Sequence, residues 1–374
     1  LLSSAGPVSI QEQPGQEHSV GLIVELLKMA PAIKILVTSR VRLNAQCEKR
    51  FAVTGLDCPV PAQEACDPWS FAAARLFLSG ARRARHDYAP ASDDLPHIVQ
   101  VCHQTQGLPL AILLAAAWVD LLSLAQISAR LGQGLDALAA DWRDLPERHR
   151  SIRAAFEPSW QMMNGTEQDA FARLSVFRGG CTAQAARQVA GANLQTLRSL
   201  VNKSLLQRDA SERYMLHALL RQYAQEKLEQ RPDTETATHD LHCTTYAEML
   251  HQRQCAISGG ELRETMPEVD NIRAAWHWAV QTGKFPEIRK SVYSLLWIYE
   301  MNGWFQEAEN TFSWAADTLN VGPASTEKNV TLGMVHLCAC FFSARTGRIG
   351  DALQRHLSEG VSLLLRGGTP RERA

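Results

Sequence analysis

Three short stretches have residue types that could hold parts of one ligand, two of them a phosphate and one a purine face. Thr38-Ser39-Arg40 follows an apolar, β-rich run, Ile33-Lys34-Ile35-Leu36-Val37-Thr38. In open α/β sheets ligands sit beyond the carboxyl ends of strands. Two hydroxyls and a guanidinium at such a place can donate charge-assisted bonds to a terminal phosphate. The plainer account is a strand end with a surface arginine. Gly107-Leu108-Pro109-Leu110-Ala111 opens an apolar helix. Pro suits a first helical position, so a simple helix start explains the stretch. The chemical alternative is a rigid turn whose Pro ring packs on a purine face. Leu216-His217 precedes a long helical pattern. A His at a helix N-terminus can donate to a phosphate beside free backbone N–H groups. It can equally be a capping or core residue.

Other chemistry finds less support. His239 and His242 stand three apart, with Cys243 and His251 nearby, but no acidic or Cys partner completes a metal set. An ordinary helix surface accounts for them. GxSxG, HExxH and EF-hand patterns are absent. So is the GxxxxGK[ST] phosphate loop. Gly283-Lys284 has no Gly-rich turn before it and reads as a helix–helix turn.

The elements that must position these residues are mostly helical. Residues 21–30 form a short amphipathic pattern stopped by Pro31. The Ile33–Thr38 run comes next as a buried-strand candidate, half of an α/β unit whose partner strands would lie elsewhere. Trp69, Ala72, Ala73, Leu76 and Phe77 make one helical stripe; Leu95, Ile98, Val99 and Cys102 make another. The apolar helix after Gly107 is expected to run to about Leu124. Asp141 to His149 is charged and loop-like, a domain boundary. Helices are expected at 151–162, 166–173, 182–190 and 193–203. Strands at 204–208 and 213–216 then flank a polar turn. That is the order of a winged helix. A long helix starts at His217, and Pro232 with the Thr-rich 233–238 reads as a linker. Beyond residue 239 apolar residues recur at helical spacing, for example Val269, Ile272, Ala275, Trp276 and Val280. Three similar turns, at Gly283, Gly303 and Gly347, each put an acid in the next helix's first turn. Such repeated helix pairs stack into an α-solenoid.

Composition narrows the partners. The 374 residues are 45% hydrophobic and 21% charged, a globular balance. Lys and Arg number 38 against 39 acids, a net charge of -1, so no general field draws nucleic acid. The expected third helix of the winged unit, Asn193 to Lys203, carries only Arg198 and Lys203, too few to track a phosphate backbone. Nine cysteines with no CxxC pair suit reduced thiols in a cytoplasmic protein. No secretory leader precedes an apolar core. The Leu108–Ala125 run is interrupted by Asp120 and reads as a buried helix, not a membrane span. The opening Leu1-Leu2-Ser3-Ser4, without Met, and the stop at Ala374 soon after a helix make an internal piece of a longer protein the expectation.

Taken in order, these stretches resemble the STAND class of signalling P-loop ATPases in their NB-ARC form. The nearer likeness is to bacterial regulators that join such a module to tetratricopeptide-type repeats. It rests on Lys34–Arg40, Gly107–Ala111, Leu145–Ala154, Leu174–Gly180, Leu200–Leu206, Tyr214–His217 and Asp270–Ala275, and covers about residues 21 to 320. The resemblance implies a mainly α chain in four parts. Residues 1–60 would be the C-terminal part of an α/β NTPase domain, and 61–145 a helical domain. Residues 146–231 would be a winged-helix domain, and 239–374 TPR-like repeats.

It also implies roles. Thr38, Ser39 and Arg40 would meet the terminal phosphate of ATP, with Arg40 the sensor. Gly107, Leu108 and Pro109 would pack on adenine. His217 would hold the β-phosphate of ADP in a closed state. Exchange of ADP for ATP would then permit self-assembly, with Mg only in an intact parent protein. The repeats would sense a protein partner or inducer, and DNA would be met only through a domain outside this chain. The sequence departs from the pattern in two ways. The phosphate loop and the acidic strand are missing, so hydrolysis is not expected of this chain alone. The acid that usually comes after the motif histidine is Ala218. The competing function is a helical-repeat interaction scaffold that has lost nucleotide binding.

Overall fold

The computed structural model describes residues 16–30, 32–39, 41–49, 51, 53–59, 67–131, 151–321, 323, 325–347 and 350–367. Arg40 and the expected boundary at 141–149 lie outside them. The described chain is mainly α. After α1 (Gln16–Met29), four helices pack as a small group: α2 (Ala72–Ala84), α3 (Leu95–Gln104), α4 (Pro109–Ala116) and α5 (Leu124–Leu131). Then come α6 (Ile152–Gln161), α7 (Gly165–Arg173), α8 (Ala183–Ala190) and α9 (Leu194–Asn202). A hairpin of β1 (Gln207–Arg208) and β2 (Tyr214–Met215) leads into α10 (Ala218–Glu229). The rest is α11 (Pro232–Gln252), α12 (Gln254–Ser258), α13 (Val269–Thr282), α14 (Phe285–Asn302), α15 (Phe305–Leu319), α16 (Thr326–Arg345) and α17 (Asp351–Gly367). No described helix is long and apolar enough to cross a membrane.

Local chemistry explains the middle unit well. Ser151, Asn164, Thr182 and Asn193 each accept a backbone N–H at the start of the helix they precede, which satisfies an otherwise orphaned donor. Asn164 and Glu167 form a reciprocal capping box. The hairpin pairs Gln207 with Met215 and Arg208 with Tyr214. Cys181 adds an antiparallel bridge to Tyr214, tying the start of α8 to the hairpin. Lys203 is bound to Glu167 and to the Met162 carbonyl. Of the two cations expected on α9, only Arg198 therefore remains for an outside partner.

The C-terminal helices stack in sequence. Gly283 and Gly303 end α13 and α14 in the left-handed conformation, at φ of 67° and 68°, which glycine adopts without strain. The chain then doubles back within a few residues. Phe312 and Phe342 stack at 5.8 Å, and Tyr299 meets both edge-on. Each such fully buried side chain contributes roughly 1.5–3 kcal/mol of burial. One connected cluster of buried apolar residues runs from Ala73 to Leu364.

Three expectations are corrected. Ile33–Thr38 forms no strand: it is irregular, and Leu36 is 95% exposed. No described strand lies beside it to complete a ladder, and an isolated strand does not hold. The apolar helix after Gly107 ends at Ala116, tightens into a 3-10 turn over Ala117–Asp120, and restarts at Leu124. The expected linker at 232–238 is the first part of α11. Pro232 occupies a first-turn position, Asp233 and Glu235 face the positive helix end, and the buried Thr238 hydroxyl bonds the Thr234 carbonyl at 2.6 Å.

Candidate functional site

The structure brings two of the three candidate stretches together. The turn before α4 carries two left-handed residues, Gln106 at φ 47° and Gly107 at φ 71°. It throws the Gln106 side chain toward α10, where its Oε1 accepts from the Ala218 N–H at 3.0 Å. Ala218 is the next residue after His217, so the Gly107 turn and the His217 cap are one hydrogen bond apart. His217 Nδ1 accepts from the Leu219 N–H at 3.3 Å. This fixes the neutral ring as a helix cap and leaves Nε2 as its other polar atom. Leu108 is half-buried and Pro109 is exposed at the start of α4, with its ring available on the surface.

The third stretch does not complete this arrangement. Thr38 and Ser39 are exposed. The Ser39 hydroxyl is engaged locally, donating to the Val41 carbonyl at 2.7 Å and accepting the Val41 N–H at 3.1 Å. Two backbone bonds dock the segment beyond Ser39 onto the helices. The Arg42 N–H reaches the Asn202 carbonyl at 3.1 Å, and the Leu56 N–H reaches the Gly107 carbonyl at 2.8 Å. His239 and His242 face different tasks. His239 stacks on Trp278 at 4.4 Å, while His242 is buried against Phe177 and Tyr246. No group of three or more His, Cys, Asp or Glu suited to a metal occurs among the described residues.

Beside the His217 cap lies a cavity of about 570 Å³. Gln106, Leu216 and Ala218 form one side, and Arg178, Arg221 and Arg273 project from three other places in the chain. Sequence reasoning missed these arginines. Their signal was faint: Arg221 lies one turn beyond His217, and Arg178 sits in the Leu174–Gly180 stretch that helped define the resemblance.

Below the cavity a polar network joins the hairpin to the repeats. Glu268, 7% exposed, accepts from Arg213, from Tyr246 Oη at 2.8 Å and from Asn271 Nδ2 at 2.9 Å. Asn271 is fully buried. Its Oδ1 accepts the Arg178 N–H at 2.7 Å, and its Nδ2 reaches the Gly180 carbonyl at 2.9 Å. Burial pushes the Glu268 carboxyl up, but its three donors outweigh this and hold it below the usual range.

Burial also holds five histidines below their ordinary value: His217, His239, His242, His336 and His356. His242 is pushed down to about 3. His336 and His356 meet through their Nδ1 atoms at 2.8 Å, so each opposes a second proton. Their folded values are depressed, so these groups cost nothing above the unfolded value near 6.5. As pH falls below it, the unfolded chain gains protons that the fold refuses. Stability is therefore expected to drop by about 1.4 kcal/mol per pH unit for His242 alone. Thermal melts between pH 8 and pH 5 check this. A midpoint unchanged down to pH 5 would contradict it.

The fold and cavity define a mainly helical chain in which a hairpin-bearing unit is fused to stacked helix pairs. No protein-family model matches it. A "Putative HTH-type transcriptional regulator" of Mycobacterium bovis is 32% identical over 292 residues, covering 73% of this chain and 31% of the relative. A protein of the same description from Mycobacterium tuberculosis matches to the same extent. An uncharacterized Mycobacterium bovis protein is 30% identical over 251 residues, 64% of this chain and 60% of that protein. The chain thus spans under a third of the regulators it resembles. A solved STAND protein with a tetratricopeptide repeat sensor, from Pyrococcus horikoshii, aligns with 96% of this chain and 62% of its own. Its identity is 14% and its TM-score 0.20, too loose a match to support an argument.

Proposed function

We propose that this chain is the regulatory portion of a nucleotide-switched signalling protein linked to transcription. The observation that carries it is the bond between Gln106 and the N-terminus of α10, which sets the Gly107–Pro109 turn beside His217. A purine face on the exposed Pro109 and a diphosphate at His217 then fit one ligand, ADP or ATP. Thr38, Ser39 and Arg40 would complete the phosphate end in the parent protein, where Mg would also be supplied. In this reading α6–α10 with the hairpin act as a winged helix that closes over the nucleotide. The helix pairs from α11 onward receive a protein partner or inducer. The similarity to proteins named as HTH-type transcriptional regulators supports a role in transcription, with DNA met by a domain outside this chain and self-assembly as the output.

Titration of ADP and ATP against the parent protein tests this. Arg40→Ala and His217→Ala are each expected to weaken binding by about tenfold or more, the scale of a charge-assisted bond. Unchanged affinity in both variants would remove the site. The second reading, a helical scaffold without nucleotide, draws support from the continuous core of α11–α17. It expects partner capture that ADP does not alter.

A further inference from the structure

The cavity beside α10 carries an uneven charge. Three arginines line it, against the single carboxylate of Asp270. That carboxylate is already bound: Arg273 contacts Asp270 at 3.1 Å and Glu307 at 2.7 Å, and lies over the Trp304 ring. Glu268, a buried acid in the adjoining network, is occupied by Arg213, Tyr246 and Asn271. Arg178 and Arg221 are therefore left over. Among the described residues, the Arg178 guanidinium donates only to the main-chain carbonyls of Ser175 and Phe177. No described acceptor bonds the Arg221 guanidinium. Burial lowers both, and the like charge of Arg221 adds to the effect on Arg178, which falls to about 10.

Two half-buried cations in one cavity are unfavourable unless something neutralises them. A carboxylate would offset one charge. A phosphate monoester brings close to two negative charges and three acceptor oxygens, which suit two guanidiniums. The lining also includes the apolar side chains of Phe177, Leu206, Met215 and Leu216. The volume suits a small ligand, not a macromolecule.

We infer that this cavity is a binding site for a small organic phosphate, held at its phosphate by Arg178 and Arg221 and at its apolar body by the Phe177–Leu216 wall. The His217 ring does not line this cavity, although Gln106, Leu216 and Ala218 around it do, so the inference stands without the nucleotide reading. The cavity joins the hairpin to α13, so an occupant would link the middle unit to the helix pairs.

Calorimetric titration of the full chain with 1-naphthyl phosphate tests it, with inorganic phosphate and 1-naphthol run alongside. The aryl phosphate is expected to bind one to one and more tightly than either control. Arg221→Gln is expected to lower that affinity about tenfold or more, and Arg221→Lys to retain part of it. ADP should not displace the aryl phosphate, which separates this site from the nucleotide one. No described acceptor is lost with the Arg221 guanidinium, so Arg221→Gln should melt no lower than the parent without ligand. It should also lose the rise in melting temperature that the aryl phosphate gives the parent. Three results would overturn the site: no saturable heat, equal affinity for 1-naphthol, or an affinity indifferent to Arg221→Gln in a folded variant.

Discussion

Replacing Glu268 with Ala is expected to destabilise the chain by about 3 kcal/mol or more, the usual cost of leaving one member of a buried ion pair alone. Arg213 would keep its charge with its side chain only 11% exposed. Tyr246 Oη and Asn271 Nδ2 would each lose an acceptor. The melting midpoint should fall by roughly 5–10 °C for a unit of this size. The damage should also be local in a telling way. Arg213 belongs to the hairpin and Glu268 to the start of α13, so the two halves should begin to melt separately in calorimetry. Arg213→Met combined with Glu268→Ala should be less destabilised than Glu268→Ala alone, because the stranded cation is gone. A loss under about 1 kcal/mol for the single variant, typical of an exposed pair, would mean that the network is not buried as described.

That network shows where sequence reasoning stopped. The helices from Ile152 to Glu229 were legible to within a residue or two, because each is fixed locally by a cap and a stripe. Ser151, Asn164, Thr182 and Asn193 announce their helices without reference to anything distant. The Ile33–Thr38 run was misjudged because apolar β-branched residues describe a surface suited to a sheet, while the sheet itself needs neighbours. Pro232 beside the Thr-rich 233–238 reads as a linker, although a first-turn proline is as much a helix start. The site was legible only in part. Gly107–Pro109 and His217 were seen as separate hints, and their adjacency depends on a side-chain bond between residues 112 apart. Arg178 and Arg221 carry only the faint signal of their neighbours, and Glu268 carries none. Asn271 reaches the Gly180 carbonyl across 91 positions, and periodicity holds no information over that span.

The Gly107 turn offers the second large effect. Gly107→Ala is expected to destabilise by about 3 kcal/mol or more, through two separate causes. A left-handed φ of 71° strains any residue with a Cβ. The added methyl would also lie 2.1 Å from the Leu56 carbonyl oxygen and 2.7 Å from its nitrogen. Those are backbone atoms held by the Leu56–Gly107 bond, so a rotamer change cannot relieve them. Gly191→Ala isolates the first cause. Its φ is 65°, but nothing lies within 4 Å of its added Cβ, so about 1 kcal/mol is expected. The difference between the two measures how tightly residues 55 and 56 press on the turn. It also has a functional consequence. Relieving the clash must move Gln106, the neighbour that bonds Ala218, so Gly107→Ala should separate Pro109 from His217. In the parent protein it should weaken ADP as much as His217→Ala does. Equal losses of stability in the two glycine variants, with ADP affinity intact, would show that the turn is neither clamped by Leu56 nor needed to align the two motifs.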